Sequence, residues 1–238
     1  MQITVMSRNK AHRFFQTMTA EEKKSFACIS ITGYEDPPVS KWVYPEKTIF
    51  LTFDDVDRPD EGGIGSLPMH DSQASYIASF MKLLPDTVTN LIVHCEAGMS
   101  RSAGVAAAIM KWMYHDDSKI FDIPAYRPNM RCYRMTLEAL MSESTDPMTE
   151  EFALRLLKKF TDTADNKERY KGFIVLEKEW DRTIYKPLRQ MFAFKCHYTW
   201  TLNAWDKHVT QTFGVIKDCE SNAYMVAPSL SECFNVTP

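Results

Sequence analysis

The sequence predicts an α/β protein, with a mostly parallel central sheet flanked by helices and an extension of different character behind it. Three observations carry this reading. Short apolar, β-branched runs alternate with helical patterns through the first 145 residues, the arrangement expected of a parallel sheet. One of those runs, Leu91-Ile92-Val93-His94-Cys95, stops abruptly at a polar turn containing Gly98 and passes into an Ala-rich helical pattern from Ser102. Past Thr145 the alternation ends and the chain becomes rich in aromatic residues. Two domains follow as an expectation: residues 1–145, and a helical, aromatic-rich extension over 146–238.

In chain order, Ile3-Thr4-Val5-Met6 reads as the first strand and Lys10 to Phe15 as a short helix. Thr19-Ala20-Glu21-Glu22 supplies a capping-type helix start. Ala27 to Ile31 is the second strand, and Gly33 to Pro45, with three prolines, is a loop. Ile49 to Phe53 is the third strand and ends at Asp54-Asp55. The connection Asp57 to Pro68 is long for a strand-to-helix link, a property often tied to function. Asp71 or Ser72 can cap the next helix, where Ala74, Ile77, Ala78, Met81 and Leu84 recur at helical spacing. The helix from Ser102 runs to about Tyr114, and another from Met130 to about Met141 follows Arg127-Pro128-Asn129. Met148 to Phe160 is amphipathic, and Thr161 to Arg169 reads as a polar linker or turn.

Composition narrows the function. The chain has 238 residues, enough for a full core, and ordinary proportions of apolar (45%) and charged (25%) residues. A net charge of −3 leaves no basic footprint for a nucleic-acid backbone. No apolar stretch approaches the roughly 18–20 residues that span a bilayer, and the first residues carry no basic-then-apolar secretory pattern. A cytoplasmic protein is therefore expected. Six scattered cysteines without a Cys-x2-Cys pair suggest neither a disulfide framework nor a zinc site. Cys28, Cys132 and Cys196 read as small buried hydrophobes, while Cys219 and Cys233 receive no assignment.

The turn after Cys95 is where the chemistry concentrates. Successive main-chain N–H groups in such a turn form an anion nest at the positive end of the following helix. Cys95 stands at one rim and Arg101 at the other, so a bound anion would meet a thiol and a guanidinium fork. Nest amides, helix dipole and Arg101 together favour the thiolate, the form that attacks phosphorus. Arg101 would hold two phosphoryl oxygens bidentately, which lysine cannot imitate. Gly98 lets the main chain turn without a Cβ in the nest, and Glu96, Ala97, Met99 and Ser100 line it through their N–H groups. Their side chains are acidic or neutral, which disfavours highly charged substrates such as polyphosphoinositides or a triphosphate end.

The run His94-Cys95-x5-Arg101-Ser102 resembles the signature of the protein tyrosine phosphatase superfamily, most closely its dual-specificity-like branch. The resemblance covers about residues 25–145. It implies a phosphotyrosine protein phosphatase-like fold and a phosphomonoester hydrolase working through a cysteinyl-phosphate without cofactor or metal. By it, Ser102 takes the position of a hydroxyl that helps Cys95 depart as thiolate. His94 takes that of a histidine hydrogen-bonded behind the loop, and Asn129 that of a residue bracing the loop. An upstream aspartate is implied as general acid. The pattern puts Asp55 there, with Asp54 the runner-up, while the longer connection leaves Asp57 or Asp60 able to swing in instead. The implied substrate is a phosphotyrosine or phosphoserine/threonine protein or a small phosphomonoester, with residues 146–238 open to a partner. Two other readings remain at this stage: sulfur or redox transfer of the rhodanese or arsenate-reductase kind, and a non-catalytic phospho-binding module.

Overall fold

A computed structural model of the chain describes residues 1–58, 65–202 and 205–229. The chain divides into two compact units: residues 1–146 together with Tyr185–Pro187, and residues 147–184 together with 188–238.

The first unit is built on four parallel strands. They are β1 (Gln2–Ser7), β2 (Phe26–Thr32), β3 (Thr48–Thr52) and β4 (Asn90–Cys95), in the spatial order β1-β4-β2-β3. The expected parallel α/β sheet is the observed one. β4 lies inside the sheet, with Ser7 opposite Cys95 on one side and Ser30 opposite His94 on the other. Its residues from Leu91 to Cys95 are all buried, which accounts for an apolar run without alternation.

Helices cover the sheet. α1 (Arg8–Gln16), capped by the Ser7 side chain, buries Ala11 and Phe15 against Cys28, Val43, Tyr44 and Ile92. The short α2 (Ala20–Lys23) opens with a full capping box between Thr19 and Glu22, as the sequence implied. α3 (Asp71–Lys82) is capped by His70 and not by the expected Asp71 or Ser72, which fall within its first turn; the His70 main-chain N–H donates to the Gln73 side chain at 2.9 Å. α4 (Arg101–Tyr114) follows β4 and is buried from Arg101 through Met110, so its alanines pack on all sides. A four-residue helix, α5 (Ser118–Phe121), precedes α6 (Met130–Met141), whose first turn is capped by Asn129 accepting from the Cys132 N–H at 2.8 Å.

The α4–α6 contact depends on Gly104. A Cβ at that position would fall 2.3 Å from the Asn129 carbonyl oxygen and 3.1 Å from the Cys132 Cβ. The absence of a side chain lets α4 lie against the segment that carries Asn129.

The second unit begins with α7 (Glu150–Thr161), capped by Thr149, and α8 (Ala164–Arg169). The polar stretch expected as a linker is thus helical over Ala164–Arg169, because Thr163 starts a new turn and its residues only lack an apolar face. An antiparallel sheet follows: β5 (Lys171–Tyr185), β6 (Leu188–Leu202), β7 (Trp205–Asp218) and β8 (Ala223–Ala227), in sequential order. The sequence reading found the aromatic residues but not these strands. Ala153 and Leu157 of α7 pack against Phe192, Phe194, Cys196, Tyr198, Phe213 and Val215, the inward residues of β6 and β7. Gln190 fastens the entry to α7, accepting from the Met148 N–H at 2.5 Å and donating to its carbonyl at 2.8 Å.

Cys28, Cys132, Cys196 and Cys219 are buried free thiols, and burial pushes all four above the ordinary cysteine range. Among the described residues no helix is long and apolar enough to cross a membrane.

Gly104→Ala is expected to lower stability by about 1–3 kcal/mol through overpacking, exceeding the roughly 1 kcal/mol that alanine adds to helix propensity. Chemical denaturation of the two proteins side by side measures it; an unchanged midpoint would show that α4 and α6 separate without cost.

Candidate active site

All four parallel strands point their carboxyl ends at one place, and each delivers polar groups there. This is the edge at which open α/β sheets bind ligands. β4 delivers Cys95, which is 2% exposed, with its Sγ 3.1 Å from the Oγ of Ser102 in the first turn of α4. Between them runs the turn 96–100, in which Glu96, Ala97 and Met99 are exposed and Gly98 is buried. Gly98 has φ +72°, and a Cβ there would stand 2.4 Å from both the Met6 carbonyl carbon and the Ser7 nitrogen. Both the conformation and the contact call for glycine. Among the described residues, the main-chain N–H groups of Ala97, Gly98, Met99 and Ser100 donate to no protein group.

β1 continues into Arg8, which binds the same turn from behind. Its N–H donates to the Glu96 carbonyl at 3.2 Å and its guanidinium pairs with the Glu96 carboxylate and donates to the Pro37 carbonyl. β2 continues into Gly33 and Asp36. Asp36 accepts from the Gly33 N–H at 2.6 Å and lies 3.9 Å from Nη2 of Arg101. β3 continues into Phe53, whose carbonyl accepts from Nη1 of Arg101 at 2.9 Å. Arg101, 8% exposed, is therefore aimed from two sides, and its Nε carries no hydrogen bond among the described residues.

The candidate aspartates are placed very differently. Asp55 reaches the turn: its Oδ1 accepts from the Ser100 Oγ at 2.7 Å and from Nδ2 of Asn129 at 3.0 Å. Asp54 bridges two loops, its oxygens accepting from the Tyr34 N–H of the loop after β2 at 3.2 Å and from the Leu67 N–H of its own loop at 2.9 Å. Asp57 accepts from the Met130 N–H at 2.8 Å at the start of α6. Asp60 lies outside the described residues. Asn129 joins the group from two directions, since its N–H also donates to the Ser100 carbonyl at 3.2 Å.

His94 is buried behind the turn, stacked on Tyr44 with ring centroids 5.4 Å apart, and neither ring nitrogen makes a hydrogen bond of good geometry. Burial, helped by the nearby Arg8 charge and opposed only by the Cys95 main chain, pulls its pKa down to about 4. The imidazole is thus neutral at physiological pH.

The sequence reading missed Arg8, which braces the turn, and Asp36, which faces Arg101. Both stand just beyond the carboxyl end of a strand, and that position was the available signal. The fold and the site together define a class: a parallel α/β unit with a cysteine–arginine turn between a strand and a helix.

No family model and no curated protein matches the sequence. Among solved structures the chain is similar to "PTPMT1 in complex with PI(5)P", at 14% identity and TM-score 0.38, over 65% of this chain and 94% of that one. It is similar to PTPMT1 alone at 16% identity and TM-score 0.37, over 66% and 95% of the two chains. A third is "Tk-PTP in the active form", at 14% identity and TM-score 0.31, over 68% and 90%.

Protonating a neutral buried His94 must cost stability. The unfolded chain binds the proton below about pH 6.5 and the folded one only near pH 4, so stability is complete above the first value and falls as pH drops toward the second. The loss from this group amounts to roughly 3 kcal/mol. Urea midpoints at pH 7 and pH 4.5 for the wild type and His94→Phe test it: the variant should show a markedly smaller acid loss, and equal losses would assign the acid sensitivity elsewhere.

Proposed function

We propose that the protein is a cysteine-dependent phosphomonoester hydrolase acting through a cysteinyl-phosphate. One observation carries the reading: a single turn holds a sulfur at its start and a guanidinium at its end, with four uncommitted N–H groups between them. That is a receptacle for a tetrahedral dianion with a nucleophile beneath it.

The proposed chemistry runs in two displacements. Cys95 Sγ, as thiolate, attacks phosphorus while the bond to the leaving oxygen breaks. The turn amides and Arg101 hold the equatorial oxygens as charge develops on them. Asp55 gives its proton to the departing oxygen, and its bonds to Ser100 and Asn129 keep it over the turn. Water then attacks the cysteinyl-phosphate, Asp55 takes a proton from that water, and phosphate leaves. Ser102 Oγ, 3.1 Å from the sulfur, stabilises the thiolate that departs in this second step. Asp36 acts through Arg101 as a positioning residue. His94 packs behind the turn as a neutral ring, and no step in this scheme uses it.

The substrate class follows from charge. Glu96 is the charged side chain of the turn and is already paired with Arg8, so nothing on residues 96–100 offers extra cations to a polyphosphate. Singly phosphorylated protein side chains, phosphotyrosine first and phosphoserine or phosphothreonine next, fit this better. A cytoplasmic setting, where thiols stay reduced, suits a cysteine nucleophile.

Turnover of p-nitrophenyl phosphate, inhibited by vanadate and indifferent to EDTA, is the expected activity; thiosulfate turnover instead would move the protein to sulfur transfer. Cys95→Ser should abolish phosphate release while retaining substrate binding, and residual turnover would point to a different nucleophile. Asp55→Asn should slow hydrolysis of an alkyl phosphate by about 10²–10⁴-fold and that of p-nitrophenyl phosphate far less, because nitrophenolate leaves without a proton. Equal losses on the two substrates would remove Asp55 from the acid role.

A further inference from the structure

Within the second unit, the unpaired side of β5 adjoins a cleft that the proposed catalysis does not use. β5 is the terminal strand of its sheet, so one side of its main chain has no strand beside it among the described residues. Native edges of this kind are usually protected by charge, proline or a covering element. Here the half from Glu177 to Arg182 is charged, but Ile174, Val175 and Leu176 are 52%, 39% and 50% exposed in succession. Gly172, just before them, has φ +62° and open space where a side chain would stand.

The cleft beside this stretch has a volume of about 430 Å³ and lies between α7, α8 and the start of β5. Leu154, Phe173 and Val175 supply an apolar wall, and Lys158 and Lys167 stand over it. Lys158, Lys159 and Lys167 are exposed and form no ion pair among the described residues. Asp162 is the single acidic residue lining the cleft.

We propose that this edge and cleft bind an extended acidic peptide segment of a partner protein, added as a fifth strand beside Gly172–Leu176. The parts match that occupant. A strand edge offers main-chain hydrogen bonds to another extended chain, and side chains on one face of the added strand would enter the cleft. Aliphatic residues at its centre would meet Val175 and Phe173, with Ile174 and Leu176 on the opposite face. Acidic residues flanking that centre would meet Lys158 and Lys167, so charge selects the partner while the edge provides the pairing.

The test uses the full chain and a labelled peptide, Glu-Glu-Val-Ile-Val-Glu-Glu, in a fluorescence anisotropy titration at low salt. It should bind at least about tenfold more tightly than the same peptide with lysines in place of the glutamates. Methylating alternate backbone nitrogens of the peptide should cost a similar factor, because it removes strand pairing without changing charge. Lys158→Glu with Lys167→Glu should weaken binding by about tenfold or more, and the milder pair Lys158→Gln with Lys167→Gln should weaken it by less. Equal binding of the acidic and basic peptides, indifference to backbone methylation, or no binding at about 1 mM would each overturn the proposal. A concentration-dependent dimer in sedimentation velocity, dispersed by Val175→Lys, would overturn it too by giving the edge to a second copy of the chain.

Discussion

The contact on which the rest of the first unit depends is the one between Gly98 and the end of β1. With 2.4 Å between a notional Cβ and the main chain of Met6 and Ser7, no other residue fits without moving one of them. The turn is thereby pressed against the junction of β1 and α1, and the Arg8 N–H is left within reach of the Glu96 carbonyl. Because β1 and β4 are paired in parallel register with Ser7 opposite Cys95, a shift at Gly98 would be felt at the sulfur. Main-chain packing, more than any side-chain bond, sets the shape of the turn.

Arg101 shows how a buried charge is tolerated in such a place. A guanidinium removed from water is costly unless hydrogen bonds and opposite charge compensate it. Here Phe53 supplies a carbonyl and Asp36 a carboxylate at 3.9 Å, close enough for attraction but too far for a hydrogen bond. The compensation is thus partial. Among the described residues its Nε has no partner at all, so part of the donor capacity of this buried guanidinium is unmet. Asp55 sits on the other side of the turn, fixed by Ser100 and Asn129 instead of by the arginine.

How far the sequence could be read follows from which signals are local. Strand β4, the turn and α4 announce themselves in one continuous stretch, because burial on both faces, a glycine with positive φ and an alanine-rich helix each leave a mark on neighbouring residues. Asn129 was legible through the resemblance, as a residue bracing the loop, and the structure shows that it also caps α6. Arg8 and Asp36 carried only the weak signal of lying just beyond a strand's carboxyl end, since their contacts with the turn form when separate strands end at a common edge. The aspartates were legible as a set with Asp55 favoured over Asp54, and the two adjacent residues point differently at the strand end, Asp55 to the turn and Asp54 to the loops carrying Tyr34 and Leu67. The second unit failed differently. Phe192, Phe194, Cys196 and Tyr198 recur at every second position, the period of a strand, with Ala193, Lys195 and His197 between them.

The hydrogen bond that the resemblance implied for His94 is not formed with good geometry among the described residues, and packing takes its place. A cationic imidazole next to Cys95 would favour a thiolate, but His94 is sealed between β4 and Tyr44, its nitrogens unpaired, with the Arg8 charge already close. A second positive charge there would be repelled by the first and deprived of water, so the ring stays neutral. Its contribution is shape: a flat body stacked on Tyr44 that holds the last residue of the strand before the sulfur. The fixed cation behind the turn is Arg8, and its pairing with the Glu96 carboxylate largely offsets its charge. Positive potential at the sulfur must then come from the front, from the free amides of residues 97–100 and from Arg101, which are the groups that would also meet a bound anion. In the proposed mechanism those same amides and Arg101 also hold the phosphoryl oxygens, so one set of donors serves both ends of the turn.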